Sequence, residues 1–266
     1  MVILLFFVVL AIFADVISPY SSTEVSLRDR LNPPFWSAEG SWSHPLGTDP
    51  LGRDLATRIA YGAQTSLMVA AATVLLSAAI GVVLGLIAGY NRGIIDTIIM
   101  RAADITIAFP IILFAIMLVV ILGAGIINLV IAVGVVLWAR FARVIRGEVL
   151  ILMERDFIAR ARVSGCSSVR IIVVHLFPNI VNTMVVLLTL QIGFVIIIES
   201  SLSFLGAGVP PPTPAWGSMI AEGREYTTSA WWVSVIPGVA LALIVVSFNL
   251  LGDWLREALD PRQRQV

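Results

Sequence analysis

The chain has 266 residues, of which 59% are hydrophobic and 13% charged, and its mean hydropathy is +0.98. Soluble domains carry about 45–50% apolar and about 25% charged residues, so this apolar excess fits the hydrocarbon of a bilayer better than a single aqueous core. The 17 acidic and 17 basic residues balance, which argues against a nucleic-acid partner.

The residue types that enzymes need are sparse. The sequence contains no lysine, which excludes a phosphate-binding loop of the form GxxxxGK[ST] and a Schiff-base amine, so any ATPase is expected in another polypeptide. Cys166 is the single cysteine, and His44 and His175 lie too far apart in the chain for a structural zinc site. The sequence therefore predicts no catalytic residue, no metal and no cofactor in this chain.

Six apolar stretches approach the roughly 20 residues that a membrane-spanning helix needs. They lie at about 1–18, 65–90, 98–122, 126–146, 181–205 and 231–252. They predict an all-α, polytopic membrane protein of about six transmembrane helices. The first stretch lacks the positive n-region of a signal peptide, so we favour an uncleaved anchor over a cleaved signal.

The domain organisation follows from these stretches. We predict a first transmembrane helix at 1–18, an extracytoplasmic segment at 19–64, a transmembrane core at 65–253 with a cytoplasmic loop at 148–178, and a cytoplasmic tail at 254–266. If both termini are cytoplasmic, twelve arginines lie inside and five outside, which satisfies the positive-inside rule.

Some residues within the spans indicate packing or anchoring. Gly81, Gly85 and Gly89 are four apart, so they share one helix face and let another helix approach closely. Trp231 and Trp232 open the last span as interfacial anchors. Arg101 and Asp104, at the inner end of the third span, are predicted to pair.

The stretch 148–178 is too charged to cross lipid and too regular for a loose loop. Val149, Met153, Phe157 and Ala161 recur every four residues as an apolar stripe. Gly165 is placed to end this helix in a left-handed cap. Ser167 or Ser168 can cap a second short helix, which Pro178 limits. Such a pair can lie on the bilayer or dock a cytoplasmic partner, and physics alone leaves both open.

The same stretch resembles the cytoplasmic EAA loop of ABC importer permease subunits, whose pattern is E-A-A-x3-G-x9-I-x-L-P. Ala161, Gly165 and Pro178 match it in register. Ala159 and Arg160 stand where the pattern has glutamate and alanine. Compared with the family pattern, this stretch therefore has one acidic residue fewer and one basic residue more.

Three further stretches resemble the peptide branch of that family. The family's segment before the second span is similar to residues 44–67, HPLGTDPLGRDLATRIAYGAQTSL. Its SLSFLGLGxxPPxPxWGxM block is similar to residues 199–224, ESSLSFLGAGVPPPTPAWGSMIAEGR. NLLGDWLREALDPR at 249–262 is similar to its C-terminal signature, with Asp253 and Asp260. The four stretches occur in the family's order.

The resemblance implies the type I ABC importer permease fold in the bacterial inner membrane. It implies a second, homologous permease subunit, two ATP-binding subunits that carry ATP and magnesium, and an extracytoplasmic substrate-binding protein. One helix of the EAA loop is then a coupling helix seated on an ATPase. By position, its coupling residues are Asp156, Phe157, Ala159, Arg160, Ala161, Arg162 and Gly165.

The outer end of the fifth span carries a second candidate site. Glu199 lies there beside Ser200 and Ser203, and an ionisable group in a span should face a cavity or a partner helix. These residues either form packing hydrogen bonds or line the translocation path.

The substrate class implied by the resemblance is a dipeptide or oligopeptide. Import of nickel or another small solute is the alternative, because nickel importers share this subunit type. A self-sufficient secondary transporter or channel is a remote alternative, since it would call for internal repeats and coupling acids within the spans.

Overall fold

A computed structural model describes residues 1–259, and their regular structure is helical. The described residues exclude 260–266, and with them Asp260, Arg262 and Arg264. Part of the C-terminal signature and most of the predicted tail therefore lie outside the described residues. The α-helices are α1 Val2–Ile12, α2 Ala14–Ile17, α3 Leu55–Asn91, α4 Gly93–Ala108, α5 Ile111–Leu122, α6 Ile126–Met153, α7 Asp156–Val163, α8 Ser168–Arg170, α9 Phe177–Phe204, α10 Trp216–Gly223 and α11 Trp232–Leu259. A π-helical segment, Ile171–Leu176, joins α8 to α9, and short 3₁₀ turns occur at Leu27–Asp29 and Arg224–Tyr226.

Four helical runs are long and apolar enough to cross a membrane: α3, α6, the run Ser168–Phe204 and α11. The pair α4 and α5 raises the number to five if it counts as one span. Helix α1 has only 11 residues, so the predicted count of six spans is not confirmed among the described residues.

The stretch predicted as one span at 98–122 is broken. Helices α4 and α5 meet at 96°, with Phe109 and Pro110 both in extended backbone between them. A proline pushes the residue before it out of the helical region and has no N–H for the helix ladder, which accounts for the break at this point.

Helices α3 and α6 pack at close range along the glycine stripe. A Cβ atom on Gly81 would lie 2.4 Å from the carbonyl oxygen of Trp138 and 2.5 Å from the Cβ of Phe141. Side chains at Gly85 and Gly89 would collide with the next two turns of α6 in the same way. The predicted packing role of these glycines is confirmed.

Helix α3 begins at Leu55, well before the predicted start of the span at 65. Asp54 caps it, because its Oδ2 accepts a hydrogen bond from the Thr57 N–H at 2.8 Å. His44 holds the other oxygen of Asp54 at 3.0 Å. The cap, which fixes the first turn, carries no hydrophobic signal, so a search for apolar runs misses it.

At the end of the bundle where α3 begins, buried charges join the segment before α3 to α10. Asp49 is fully buried and binds both Arg53, at 2.5 Å, and Arg58. Both guanidinium groups also reach Glu222 on α10, each at 2.7 Å. Because an unpaired charge at this depth is strongly unfavourable, the four residues hold the outer segment and α10 in one arrangement.

Helix α10 packs against α9, α11 and the first turns of α3. Trp216 is fully buried and donates its indole N–H to the Ile59 carbonyl on α3 at 3.2 Å. Gly217 lies so close to α9 that a Cβ atom there would sit 2.1 Å from the Ser200 carbonyl oxygen.

Candidate functional site

The loop between α6 and α9 folds back on itself at Gly165. Helix α7 ends in a left-handed residue, Gly165 with φ +75°, and the Cys166 N–H donates to the Ala161 carbonyl at 3.0 Å. The Gly165 N–H donates to the Arg162 carbonyl at 3.0 Å, which completes a Schellman cap. Ser167 then caps α8 by accepting from the Arg170 N–H. The predicted glycine cap and serine cap are both confirmed.

Pro178 does not end the second helix of the loop, so that part of the prediction is wrong. The π-helical segment leads directly into α9, where Pro178 stands in the first turn. Pro178 has no N–H to donate to the helical segment before it, and the wider π turn accommodates the missing bond and the change of register. The loop is therefore attached rigidly to a membrane-spanning run, Ser168–Phe204.

One side of α7 is buried against the bundle. Ile158 is fully buried and Ala161 is 7% exposed, in a cluster with the inner ends of α6 and α9. The predicted apolar stripe places Phe157 on this side, but Phe157 is 36% exposed. Because α6 stops at Met153 and α7 starts at Asp156, the helical register shifts by one residue and Ile158 takes the buried position.

The other side of α7 is open. Asp156, Phe157, Ala159, Arg160 and Arg162 are exposed, and Gly165 is exposed at the tip. Of the predicted coupling residues, only Ala161 is buried. The same open surface includes Val163, 90% exposed, and Val169, 71% exposed. Sequence reasoning missed these two, although both are apolar residues off the buried stripe.

The charges on this surface are mostly basic. Ion pairs beside it connect the end of α6 to α4 and to the turn between α3 and α4. Arg92, in the turn between α3 and α4, binds Glu154 at the end of α6, and its guanidinium holds the pKa of that carboxyl below its usual range. Deeper, Arg146 of α6 binds Asp96 of α4 at 2.6 Å. These pairs fix the inner ends of α3, α4 and α6 relative to the loop.

The predicted pair of Arg101 with Asp104 is wrong. Asp104 binds Arg143 of α6, with 2.7 Å between the guanidinium nitrogen and the carboxylate oxygen. Arg101 and Asp104 are neighbours on α4, but the packing of α4 on α6 brings Arg143 to the carboxylate instead.

The second predicted site is a buried polar cluster near the C-terminal end of α9. Glu199 is 1% exposed, and its carboxylate accepts hydrogen bonds from Ser203 at 2.7 Å and from Ser66 of α3 at 3.2 Å. Ser200 donates a longer bond to the same group, and the Ser203 hydroxyl accepts from the Val209 N–H at 3.1 Å. The structure thus brings the three predicted residues together and adds Ser66, which the sequence pattern had not revealed.

The two sites lie at opposite ends of one helix. From Phe177 to Glu199 the rise along α9 is roughly 33 Å, about the thickness of the bilayer hydrocarbon.

The sequence matches a known family over most of its length. Residues 81–265 match the binding-protein-dependent transport system inner membrane component, and residues 1–34 match the N-terminal transmembrane domain of oligopeptide transport permease C.

Two relatives illustrate the similarity. The chain is 40% identical over 263 residues to the di/tripeptide transport system permease protein DppC of Pseudomonas aeruginosa, covering 99% of this chain and 87% of that protein. It is 45% identical over 255 residues to the glutathione transport system permease protein GsiD of Escherichia coli, covering 96% and 82%.

Among solved structures, an inward-facing form of the MetNI methionine ABC transporter is similar. The TM-score is 0.62 at 18% identity, and the match covers 76% of this chain and 96% of that one. At this identity the likeness concerns the fold, which agrees with the predicted ABC importer permease architecture.

Proposed function

Because this chain belongs to the family of binding-protein-dependent transport system inner membrane components, we propose that it couples separate ATPase subunits to the passage of short peptides. The observation that carries the proposal is the exposed face of α7 around Phe157, backed by buried Ile158 and fixed by the cap at Gly165. An exposed apolar side chain on a rigid base is suited to fill a pocket on a partner, and surrounding charges set the register.

The assembly proposed for this chain has five further components. They are a second, homologous permease subunit, two ATP-binding subunits that hold ATP and magnesium, a substrate-binding protein on the outer side, and the bilayer of the inner membrane. The chain itself is proposed to have no catalytic activity. We retain 1–18 as a membrane anchor, 19–64 as extracytoplasmic, 65–253 as the core with its coupling loop at 148–178, and 254–266 as cytoplasmic.

A path-lining role for Glu199, Ser200 and Ser203 stays a prediction. The hydrogen bonds of Glu199 are made to hydroxyl groups of this chain, so lining the path would require the carboxylate to leave Ser66 and Ser203 during the transport cycle.

The proposed orientation, with both termini cytoplasmic, can be tested with Cys166, which is partly exposed beside Gly165. A membrane-impermeant maleimide should label Cys166 in inverted vesicles and leave it unlabelled in intact spheroplasts. Cys166→Ser serves as the blank. Labelling in spheroplasts would place the loop outside and remove the docking proposal.

The substrate proposed is a dipeptide or short oligopeptide. The relatives named above are di/tripeptide and glutathione permease proteins, and glutathione is itself a small peptide. We propose the same substrate class here, in place of nickel.

Deleting this subunit should abolish uptake of radiolabelled di- and tripeptides, because without it the path lacks one of its two halves. Cellular nickel should stay unchanged, and restoring the subunit should restore peptide uptake. Normal peptide uptake with a fall in nickel would support the nickel alternative and reject the peptide proposal.

A further inference from the structure

A cleft of about 640 Å³ opens among the inner ends of α6, α9 and α11. Its volume lies in the range of small-molecule sites, about 300–1,000 Å³. The polar groups that line it are Glu148, Arg155, Asn179, Asn182, Thr183 and Arg256. The rest of the lining is aliphatic, so the cleft offers a few polar groups on an apolar wall.

The charges in this cleft are separated along its length. Glu148 lies in α6, five residues before that helix ends at Met153, and Arg155 follows in the turn that leads to α7. Arg256 stands in the last turn of α11. The acid therefore lies deeper than the guanidinium groups, which stand at the cytoplasmic mouth.

A hydrogen bond to one carboxylate oxygen of Glu148 fixes the side chain and leaves the other oxygen available. Its Oε1 accepts a hydrogen bond from the Thr183 hydroxyl at 2.9 Å, and within residues 1–259 no donor reaches Oε2. The side chain is half-buried, so its charge is screened less than that of a surface carboxylate. A ligand ammonium group would complete its pairing.

Two amides line the wall that α9 contributes. Asn179 and Asn182 are three residues apart and both are exposed. The Asn179 amide nitrogen donates to the His175 carbonyl at 2.7 Å, which leaves its carbonyl oxygen free to accept. Amides of this kind can hydrogen-bond a peptide backbone whatever its side chains are.

We propose that this cleft binds a short peptide on the cytoplasmic side, with the peptide's ammonium group on Glu148 and its carboxylate on Arg155 and Arg256. An extended tripeptide of about 10 Å carries opposite charges at its two ends, and the cleft likewise places its acid within α6 and its arginines at the helix ends. The inference rests on the proposed function, since it names a release site for the same substrate class.

Peptide binding to the intact complex in nanodiscs, without the substrate-binding protein, tests this site. Trialanine should bind the wild type, and N-acetyl-trialanine and trialanine amide should each bind at least about tenfold more weakly, because each blocks one charge. Glu148→Gln should remove the preference for the free amine alone, and Arg256→Gln the preference for the free carboxylate alone. Arg101→Gln, an exposed arginine on α4 outside the cleft, is the matched control.

A labelling experiment locates the bound peptide independently. In a Cys166→Ser background, trialanine should slow maleimide reaction of Leu187→Cys, which lines the cleft, and leave Ile94→Cys on α4 unaffected. Equal binding of the blocked peptides, or no protection of Leu187→Cys, would overturn the proposal. Peptide uptake measured on the same complex separates the failure of this site from the failure of the proposed function. Uptake without binding in the cleft rejects the site only, and absence of uptake rejects the proposed function.

Discussion

Gly165→Val is expected to uncouple ATP hydrolysis from peptide uptake while the protein still inserts into the membrane. Gly165 has φ +75°, a region that costs a residue with a Cβ about 1–2 kcal/mol and a β-branched residue more. Among residues 1–259, no atom outside Gly165 and its two chain neighbours lies within 4 Å of the position that a Cβ would take, so the cost is conformational and falls on the cap rather than on the core. Losing the cap turns α7 away from its docked orientation, and we expect uptake to fall at least about tenfold.

The matched controls separate the backbone effect from the added bulk. Gly165→Asn should retain most of the uptake, because asparagine tolerates the left-handed region better than other residues with a side chain. Gly147→Val also adds bulk where nothing lies within 4 Å, but it does so on the helical backbone of α6 and should have a small effect. Uptake and ATPase activity in proteoliposomes are the measurements, and wild-type uptake by Gly165→Val would contradict the coupling role.

Gly81→Ala is expected to destabilise the bundle more than any other single-methyl addition on the α3 and α6 contact. The new Cβ would meet the backbone oxygen of Trp138 at 2.4 Å, so relief requires the two helices to separate rather than a side chain to rotate. Overpacking of this kind costs about 1–3 kcal/mol, and a backbone clash belongs at the upper end.

Thermal unfolding of the detergent-solubilised subunit, followed by size-exclusion fluorescence, measures this effect. Gly238→Ala is the matched control, since Gly238 also lies in a membrane-spanning helix but has nothing within 4 Å of its Cβ position. A lowered unfolding temperature for Gly81→Ala alone is expected. Equal stability of the two variants would mean that α3 and α6 are not in close contact.

The site on the loop between α6 and α9 could be predicted largely from local signals. The left-handed cap at Gly165 and the serine cap at Ser167 depend on residues within five positions of each other, so the sequence contains all that they need. The exposure of Phe157 could not be predicted, because it depends on α6 ending at Met153 and α7 restarting in a different register. The burial of Ile158 is the consequence.

The sequence by itself determined the class of the protein, the places of its main apolar helices, the glycine stripe of α3 and the position of the loop that carries α7. The class follows from composition, the apolar helices from runs of roughly 20 residues, and the stripe and the loop from spacings of about one helical turn. Only the tertiary structure decided that Arg58 and Glu222 share a buried charge cluster, that Asp104 binds Arg143, and that α4 and α5 stand at 96°. Such pairings join residues tens to hundreds of positions apart, and the packed arrangement of the helices selects each partner.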